Sequence, residues 1–292
     1  MKLSPTDLKE LAQYAREAAQ LAGAVIMTYA NKKVEILTKS TGSSEASQVL
    51  TEVDLRCEKL ILDHLDDSVR KYNLAVLSEE QEDDKQRLIK EAFWCIDPID
   101  GTLAFTQARP GYSVSIALVS KTGKSLIGVV YDPVKDRMYS AITEQGLYLN
   151  GQAWRPENEL RTEQLTLPCD RSLLKRPDFP DIHKAIDQWR TNKGLTQINE
   201  IHHCGAVMNA IQALENPPAC YFKPPKKEDG GGSLWDFAAT ACICSEAGAF
   251  VCDYKGQVLE LNKADSTFMN QNGVIFSTEK ELVAVIQSLY SG

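Results

Sequence analysis

Two carboxylates, Asp97 and Asp100, stand three residues apart in the segment WCIDPIDGT. Carboxylates held this close repel each other unless a positive charge lies between them, and a hard divalent cation that takes oxygen ligands is the natural candidate. The backbone N–H groups around Gly101 and Thr102 could hold an anion. A metal beside an anion site indicates phosphate chemistry, whereas an acidic turn facing solvent is the alternative for the two carboxylates taken alone.

Further carboxylates could join this site. Asp54 follows Thr51 by three residues at the start of a predicted helix, an arrangement that resembles a capping box and gives Asp54 a structural alternative. Glu79 and Glu80 come directly after the predicted strand Leu74–Leu77, so they repeat the arrangement of acids behind an apolar strand. The alternative for this pair is a charged loop that faces solvent.

A last acid, Asp236, falls in the first turn of a predicted helix from Leu234 to Ala247, with Ser233 as its N-cap. The helix dipole favours a carboxylate there, which is the structural alternative for Asp236. The functional interpretation is that a helix N-terminus beside glycines faces an anion. The preceding segment 223–232, rich in lysine and glycine, is predicted to be an exposed loop.

The element that positions the central acids can be predicted from the apolar pattern. Residues Phe93–Ile96 are typical of the end of a buried strand. Pro98 disfavours helix at Asp97, and Gly101 allows a tight bend, so the acids are expected on a stiff turn at the strand end. Ligands tend to bind at such strand ends in open α/β sheets. After the motif, antiparallel strands are predicted at Tyr112–Val119, Ser125–Tyr131 and Arg137–Ile142.

The N-terminal part contains a long amphipathic pattern that predicts a helix ending near Ala30. Thr6 or Asp7 could cap this helix at its start. The segment Lys39–Gln48 is small and polar, so it is predicted to be a flexible loop. Such a loop near an active site can act as a lid.

The second half of the chain alternates predicted strands and helices, which fits a covered sheet. The length of the chain fits two closely packed lobes. We expect an α+β lobe over residues 1–152 that carries most of the acids. We expect an α/β lobe over residues 153–292 that carries Asp236 and part of the substrate pocket.

Composition argues against several classes of protein. The 292 residues carry a net charge of −8, whereas nucleic-acid-binding proteins usually carry an excess of positive charge. No run reaches the roughly 18 apolar residues of a membrane span. The N-terminus begins a polar amphipathic helix rather than a signal peptide. The eight cysteines form no C-x-x-C pair, so we interpret them as reduced, buried thiols of a cytoplasmic protein rather than as zinc ligands.

In their order and spacing, Asp54, the Glu79-Glu80 pair, the segment DPIDGT and the segment WDFAA closely resemble the signature of the inositol monophosphatase superfamily. Its members are magnesium-dependent, lithium-sensitive phosphomonoesterases. The resemblance extends from about residue 10 to 290. It implies an α/β fold with an α+β first lobe, arranged as a five-layer α-β-α-β-α sandwich of the inositol monophosphatase and fructose bisphosphatase type. A homodimer is a further expectation by resemblance.

The resemblance also implies the ligands of two or three Mg²⁺ ions, with Mn²⁺ as a substitute. Glu79, Asp97 and the carbonyl of Ile99 would hold one ion. Asp97, Asp100 and Asp236 would hold a second ion, and a third, weaker ion would lie near Glu79. Such a set fits two-metal phosphate hydrolysis, in which one ion lowers the pKa of the attacking water and the other stabilises the leaving oxygen.

The remaining roles implied by the resemblance belong to residues around the phosphate. The backbone at Gly101 and Thr102 would grip the phosphate, while Thr102 and Asp54 would orient and deprotonate the attacking water. The predicted catalytic residues are thus Asp54, Glu79 and Thr102. The predicted substrate contacts are Gly101, Thr102, Lys223 and Asp236. The histidines show no motif that links them to this chemistry, and we interpret them as structural or surface residues: His64, His183, His202 and His203.

Substrate identity rests on weaker features. The residues after DGT, Leu103-Ala104-Phe105, match neither the T-N-F of inositol monophosphatases nor the K-E-F of the nucleotidases, and Lys39–Asp54 also departs from the nucleotidase pattern. The segment Tyr221–Pro224 resembles the basic segment of 3′(2′),5′-bisphosphate nucleotidases. A second anionic group on the substrate would need a lysine such as Lys223, and the alternative is a solvated lysine loop.

On this balance we favour a 3′(2′),5′-bisphosphate nucleotidase, which converts 3′-phosphoadenosine 5′-phosphate to AMP and phosphate. The first alternative is an inositol monophosphatase that acts on inositol 1-phosphate. The second alternative is a catalytically silent metal-binding protein on the same fold. The intact set of acids argues against that silent protein.

Overall fold

The structure, a computed structural model, describes residues 3–30, 32, 34–38, 49–156 and 162–290. The α-helices are α1 (Pro5–Tyr29), α2 (Glu52–Tyr72), α3 (Thr102–Thr106), α4 (Phe179–Asn192), α5 (Ala206–Glu215), α6 (Leu234–Glu246) and α7 (Lys280–Ser288). The strands are β1 (Ile36–Thr38), β2 (Val49–Thr51), β3 (Ala75–Ser78), β4 (Ala92–Asp100), β5 (Ser113–Ser120), β6 (Ser125–Asp132), β7 (Arg137–Ile142), β8 (Gly146–Leu149), β9 (Gln152–Ala153), β10 (Gln164–Pro168), β11 (Gln197–Ile201), β12 (Cys220–Lys223), β13 (Phe250–Cys252) and β14 (Val274–Ser277). The loop predicted at Lys39–Gln48 lies outside the described residues.

Helix α1 begins two or three residues earlier than the sequence suggested. Its N-cap is Ser4, whose hydroxyl accepts the N–H of Asp7 at 3.2 Å while the Asp7 carboxylate accepts the N–H of Ser4 at 2.8 Å. Pro5 occupies the first helical position, where its missing N–H costs nothing. The prediction that Thr6 or Asp7 caps the helix is therefore wrong, because Asp7 is the third helical residue of a capping box that starts at Ser4.

A seven-stranded sheet forms the first half of the molecule, in the order β3-β4-β5-β6-β7-β8-β9. Strands β3 and β4 run parallel, and each later pair is antiparallel. The three predicted antiparallel strands are confirmed as β5, β6 and β7 within one or two residues. The tight turn between β8 and β9 uses left-handed backbone at Asn150 and Gly151, as this dipeptide favours.

Strand β4 does not end before the acids, as the sequence suggested, but continues through Asp97 to Asp100. Its pairing with β5 shifts there, because Asp97 lies opposite Ser115 whereas Asp100 lies opposite Ser113. The extra residue makes a bulge, and Pro98 falls within it, where a missing N–H breaks no ladder bond. The bulge thus provides the stiff bend that a turn was expected to provide.

Two helices cover one face of this sheet. Leu11 and Ile26 of α1 and Ile61 of α2 form a buried apolar cluster with Trp94 of β4 and Ile116 of β5. Because alternate strand residues point to opposite faces, the neighbouring positions of these strands point into a different core. The α1–α2 pair is therefore an outer layer that buries one side of the sheet.

The other face of the sheet packs against helices α5 and α6. Phe93 of β4 clusters with Val207 of α5 and Phe237 of α6, and the same cluster includes Tyr221 and Phe276 of the smaller strands. These two helices therefore lie between two layers of strands. Since α5 and α6 come from the second half of the chain, the two halves share this core, and the boundary at 152/153 stays a prediction.

The second layer of strands is mixed. Strands β10 and β11 pair in parallel, whereas β12, β14 and β13 pair antiparallel in that order, and a single parallel bridge between Thr166 and Ala219 connects the two groups. Its outer face is covered by α4 and α7, through a cluster that includes Ile186, Ile275 and Leu282. The layers are then helix, sheet, helix, sheet and helix, which confirms the predicted five-layer sandwich.

The cysteines are all free thiols, and six of the eight are buried. Burial raises the pKa of the Cys57 thiol to about 12, so this side chain behaves as a small apolar group. A separate finding concerns membranes: within the described ranges, no helix combines the length and the apolar character that a bilayer span requires.

Candidate active site

Three carboxylates from two elements meet at the bulge of β4. Oxygen atoms of Asp97, Asp100 and Asp236 all lie within 4.8 Å of one another. Asp97 and Asp100 come from β4, and Asp236 comes from the first turn of α6. The structure therefore brings together three of the five predicted metal-binding residues in one cluster.

Asp97 is the most constrained of these acids. Its side chain is buried, and its Oδ1 accepts the N–H of Ile99 at 3.0 Å, which fixes the carboxylate against the bulge. Burial raises the pKa of Asp97 well above its ordinary value, and the charges of Glu79, Asp100 and Asp236 raise it further. This carboxylate is costly as an anion unless a cation joins it.

Glu79 lies beside Asp97, at the end of the strand that runs parallel to β4. Its N–H donates to the carbonyl of Ile96 at 3.1 Å, and its carboxylate both repels Asp97 and shares a hydrogen bond with it. A buried residue that the sequence analysis missed, Glu58 of α2, supports this segment by accepting the N–H of Glu80 at 3.2 Å. Glu79 therefore stands where it could add a carboxylate to the cluster.

Asp100 is held by the N-terminus of helix α5. Its two carboxylate oxygens accept the N–H groups of Ala206 and Val207, each at 3.0 Å. Gly205 makes this approach possible, because a Cβ atom there would lie 2.2 Å from Oδ2 of Asp100. The sequence analysis missed this segment, since a glycine before an apolar helix gives no sign of which carboxylate its N-terminus will meet.

Asp236 combines a structural and a site-forming role. Its Oδ2 accepts the N–H of Ser233 at 2.5 Å, so it closes the first turn of α6 as the helix-start pattern predicted. Burial raises the pKa of Asp236 to about 6, although the nearby ammonium of Lys223 works against this rise. The cap fixes the carboxylate and leaves it facing Asp97 and Asp100.

Asp54 and Thr102 form a second, adjacent pair. The hydroxyl of Thr102 lies 3.0 Å from Oδ1 of Asp54 and 2.9 Å from the carbonyl of Ile99, so it can donate to either oxygen. The predicted capping box is confirmed: Asp54 accepts the N–H of Thr51 at 2.8 Å and also its hydroxyl. Burial raises the pKa of Asp54 to about 6, which the bonds from Thr51 only partly offset.

Gly101 gives the backbone its turn from β4 into α3. Its φ of +85° lies in the left-handed region that favours glycine, and a Cβ there would lie 2.8 Å from the carbonyl oxygen of Gly111. The peptide that follows Asp100 can therefore pass close to Gly111 and Gly205. This close approach leaves the backbone of Gly101 and Thr102 beside the acids, where the predicted phosphate contact would lie.

Lys223 differs from its expected surroundings. It ends β12 rather than opening an exposed loop, and only 16% of its side chain is exposed. Its ammonium lies 3.1 Å from Oδ2 of Asp170 and 5.4 Å from the ring centre of Phe237. The position is explained by β12 pairing with β14, which draws the lysine inward while Glu228 and Asp229 remain exposed.

Three of the histidines pair with carboxylates outside the cluster. His64 is 3.2 Å from Glu17 on the outer helices, and both His183 and His202 approach Glu200 of β11, at 3.1 and 2.9 Å. These partner carboxylates, Glu17 and Glu200, are partly exposed. The remaining histidine, at position 203, is exposed.

The donor set fits a hard divalent cation. Every acid of the cluster offers oxygen, which Mg²⁺ and Mn²⁺ prefer to nitrogen or sulfur ligands. The carbonyl of Ile99 lies at the same bulge and accepts the Thr102 hydroxyl through one of its two lone pairs. Buried acids that raise one another's pKa are stabilised when a dication takes the place of their protons.

Comparison with known proteins gives one consistent result. A model of the inositol monophosphatase family matches residues 7–291. An inositol-1-monophosphatase of Bacillus subtilis is 30% identical over 257 residues, covering 86% of this chain and 88% of that protein. A 3′(2′),5′-bisphosphate nucleotidase of Escherichia coli K12 is 27% identical over 268 residues, covering 90% and 96%. A solved IMPase of Thermotoga maritima shares the fold, with a TM-score of 0.70 and 24% identity over 95% of this chain and 96% of that one.

Proposed function

Because the chain belongs to the inositol monophosphatase family, whose members hydrolyse phosphate monoesters, we propose that it is a Mg²⁺-dependent phosphomonoesterase that acts on a small phosphorylated metabolite. The observation that carries this proposal is the cluster of Asp97, Asp100 and Asp236 beside the Asp54–Thr102 pair. Capping of α2 accounts for the bonds between Asp54 and Thr51, but not for the contact of Asp54 with the Thr102 hydroxyl beside the acids. The geometry therefore favours an enzyme over the silent alternative.

The residues that would hold the ions are those implied by the family resemblance, and the cluster of Asp97, Asp100 and Asp236 supports the second set. Glu79, Asp97 and the carbonyl of Ile99 would hold one Mg²⁺, and Asp97, Asp100 and Asp236 a second, with a third near Glu79. When bound, such ions lower the pKa of a water molecule and stabilise the charge on the leaving oxygen. The α5 N-terminus orients Asp100, and the capping bond from Ser233 orients Asp236, so both carboxylates are fixed before a ligand arrives.

Asp54 and Thr102 would handle the proton of the attacking water. The Thr102 hydroxyl, 3.0 Å from Oδ1 of Asp54, can accept a hydrogen bond from water while it passes its own proton to that carboxylate. With a pKa of about 6, Asp54 is an anion at neutral pH and is a stronger base than an exposed aspartate. The backbone of Gly101 and Thr102 would contact the phosphate itself.

For the substrate, we favour a 3′(2′),5′-bisphosphate nucleotide, with 3′-phosphoadenosine 5′-phosphate converted to AMP and phosphate. Support comes from Lys223, a largely covered cation whose ammonium lies 5.4 Å from the ring centre of Phe237, the residue that follows Asp236. A second phosphate on the substrate could use this ammonium, whereas the hydroxyls of inositol would not need it. Inositol 1-phosphate is the alternative substrate.

The test is the release of inorganic phosphate at saturating Mg²⁺, with 3′-phosphoadenosine 5′-phosphate and inositol 1-phosphate compared at equal concentration. We expect a kcat/KM for the nucleotide that exceeds the value for inositol 1-phosphate by at least about tenfold, which is the gain from one charge-assisted hydrogen bond. A preference for inositol phosphate would replace the nucleotidase proposal with the alternative. Release from neither substrate would contradict both.

We also propose a cytoplasmic location, because eight free thiols suit a reducing compartment. The homodimer implied by resemblance stays a prediction. Size-exclusion chromatography with light scattering would measure the assembly directly, and a mass close to 32.4 kDa would contradict a dimer.

A further inference from the structure

Asp170 lies two residues after the end of β10, beside Lys223, and belongs to none of the motifs singled out in the sequence. Its Oδ2 lies 3.1 Å from the ammonium of Lys223, and its side chain is only 19% exposed. Both members of this ion pair are largely covered, but neither is sealed from solvent. Part of each side chain therefore stays open to a ligand.

The other carboxylate oxygen of Asp170 is tied to rigid elements. Oδ1 accepts a hydrogen bond from Nδ2 of Asn209 at 3.1 Å and lies 3.4 Å from the hydroxyl of Tyr221. Asn209 belongs to α5 and Tyr221 to β12, and both side chains are fully buried. The Asp170 carboxylate is thus fixed by the helix whose N-terminus holds Asp100 and by the strand that carries Lys223.

Lys223 has competing partners within the site. Burial disfavours its charged form, yet the pKa of Lys223 is raised because Asp170, Asp236 and Asp100 all attract the ammonium. A lysine side chain has several rotatable bonds and can turn toward whichever carboxylate attracts it most. Without Asp170, the ammonium would be drawn toward Asp236 and Asp100, where a metal ion would otherwise bind.

We infer that Asp170 is a positioning residue that determines specificity: it holds the ammonium of Lys223 away from the metal-binding acids and presents it to a second anionic group on the substrate. The inference rests on the proposed function, because only a substrate with two separate anionic groups would use this ammonium. A lysine has three N–H donors. Asp170 takes one of them, so a phosphate oxygen can accept another.

The test compares two substrates that differ only in the second phosphate. 3′-Phosphoadenosine 5′-phosphate carries it, and adenosine 3′-phosphate does not. Asp170→Asn keeps the volume and an acceptor oxygen for Asn209 and Tyr221, but removes the charge that faces Lys223. We expect this variant to raise KM for the bisphosphate by about 10-fold or more, with kcat changed far less. The KM for adenosine 3′-phosphate should change by less than about twofold.

A double-mutant cycle separates positioning from structural support. If Asp170 acts through Lys223, then Asp170→Asn should raise KM for the bisphosphate in the wild-type background but have little further effect in Lys223→Met. A structural role would give losses that add. All four proteins are assayed at saturating Mg²⁺, so that a change in metal affinity does not enter the comparison.

The chain offers a matched control in Glu215. Like Asp170, the Glu215 carboxylate pairs with a cation and accepts a hydrogen bond from a buried tyrosine. It lies 2.7 Å from the guanidinium of Arg137 and 2.5 Å from the hydroxyl of Tyr139. Glu215→Gln, at the far end of α5, should leave KM unchanged for both nucleotides. The thermal stability of Glu215→Gln shows how much the fold is destabilised when such a hydrogen-bond network is lost away from the site.

The two ways of failing can be told apart. If wild type hydrolyses the bisphosphate but Asp170→Asn raises KM equally for both nucleotides, or acts additively with Lys223→Met, the role of Asp170 is overturned and the nucleotidase stands. If wild type itself prefers inositol 1-phosphate and does not hydrolyse the bisphosphate, the proposed function fails, and the role of Asp170 fails with it.

Discussion

Asp97 is the carboxylate on which the charges of the site converge. Glu79, Asp100 and Asp236 all act on it, and its own Oδ1 is fixed by the N–H of Ile99. The DPIDGT motif made this residue a candidate metal ligand only together with the other acids of the signature, because two acids taken alone also fit a turn that faces solvent. What could not be predicted was the bulge that brings Asp97 and Asp100 within 4.8 Å of Asp236, since register depends on pairing with β5.

Asp97→Asn should therefore abolish turnover while the fold persists. The amide loses the negative charge that would bridge two ions but keeps an oxygen for the N–H of Ile99. Loss of a residue that only supports a metal ligand lowers metal affinity or activity roughly 10- to 100-fold. Loss of a direct ligand should lower activity by more than that. Phosphate release at saturating Mg²⁺ and circular dichroism check both parts. Near-normal turnover with an unchanged dichroism spectrum would refute the metal assignment.

The raised pKa of Asp236 predicts that the stability of the metal-free protein depends on pH. Its pKa is raised from 3.8 to about 6, so between these values the folded state binds more protons than the unfolded state. The free energy of unfolding contributed by this group therefore falls as pH rises from about 4 to 6. Asparagine does not titrate, so the Asp236→Asn variant does not lose stability in this way. Between about pH 4 and pH 6 its stability should rise relative to that of wild type, by up to about 3 kcal/mol.

Asp7 is the matched control, because it holds the same third position of a capping box in α1. The hydrogen bonds from Ser4 lower the pKa of Asp7, so its contribution is present at neutral pH and is lost as pH falls below about 4. Asp7→Asn should thus lose stability at pH 7, opposite in sign to Asp236→Asn. Urea unfolding in EDTA at pH 4.5 and 7 measures both, and equal signs would contradict the account of Asp236.

At the scale of elements, the helix starts explain how acids are placed. Thr51 caps α2 and holds Asp54 through its N–H and its hydroxyl. Thr51→Ala should cost about 1 kcal/mol of stability and should also lower kcat, because Asp54 loses the bond from the hydroxyl and keeps only the bond from the backbone N–H. Ser4→Ala removes the corresponding cap of α1 and should cost similar stability with no change in kcat. Equal kcat in the two variants would contradict the link between this cap and catalysis.

The approach of α5 to β4 depends on Gly205. A Cβ there would lie 2.2 Å from Oδ2 of Asp100 and 2.7 Å from the backbone N of Gly101. Gly205→Ala should therefore displace the carboxylate and lower phosphate release by more than about tenfold. Gly23→Ala is the control, since its Cβ would meet the ring of Tyr131 at 2.3 Å, on the face covered by α1. It should lose stability but keep kcat, and a similar loss of kcat would contradict the role of Gly205.

Secondary structure was predictable where the pattern is local. The hairpin strands β5 to β7 and the helix that starts after Ser233 follow from alternation, turn residues and caps. Contacts between distant segments were not predictable. The N-terminus of α5 gives no sequence sign that it will meet Asp100, and β12 gives none that Lys223 will turn inward to Asp170. Both depend on packing that only the assembled layers provide.

At the scale of the whole molecule, the five layers explain why the site is rigid. Helices α5 and α6 lie between the two layers of strands, and both begin at the site, with Ala206 beside Asp100 and Asp236 in the first turn. The larger sheet supplies Asp97 and Asp100, and α2 supplies Asp54 from its opposite side. The sheet and the middle helices therefore supply the acids of the cluster, and α2 adds Asp54 beside Thr102. Without a cation, such a cluster would be unstable.

The central claim is that this cluster holds divalent metal ions. The most direct measurement is the anomalous difference density of crystals grown with Mn²⁺ in place of Mg²⁺. We expect peaks within roughly 2.5 Å of carboxylate oxygens of Asp97, Asp100 and Asp236, and we expect the Asp97→Asn variant to lose them. Ordered crystals with no peak at these residues, or with peaks only elsewhere, would contradict it.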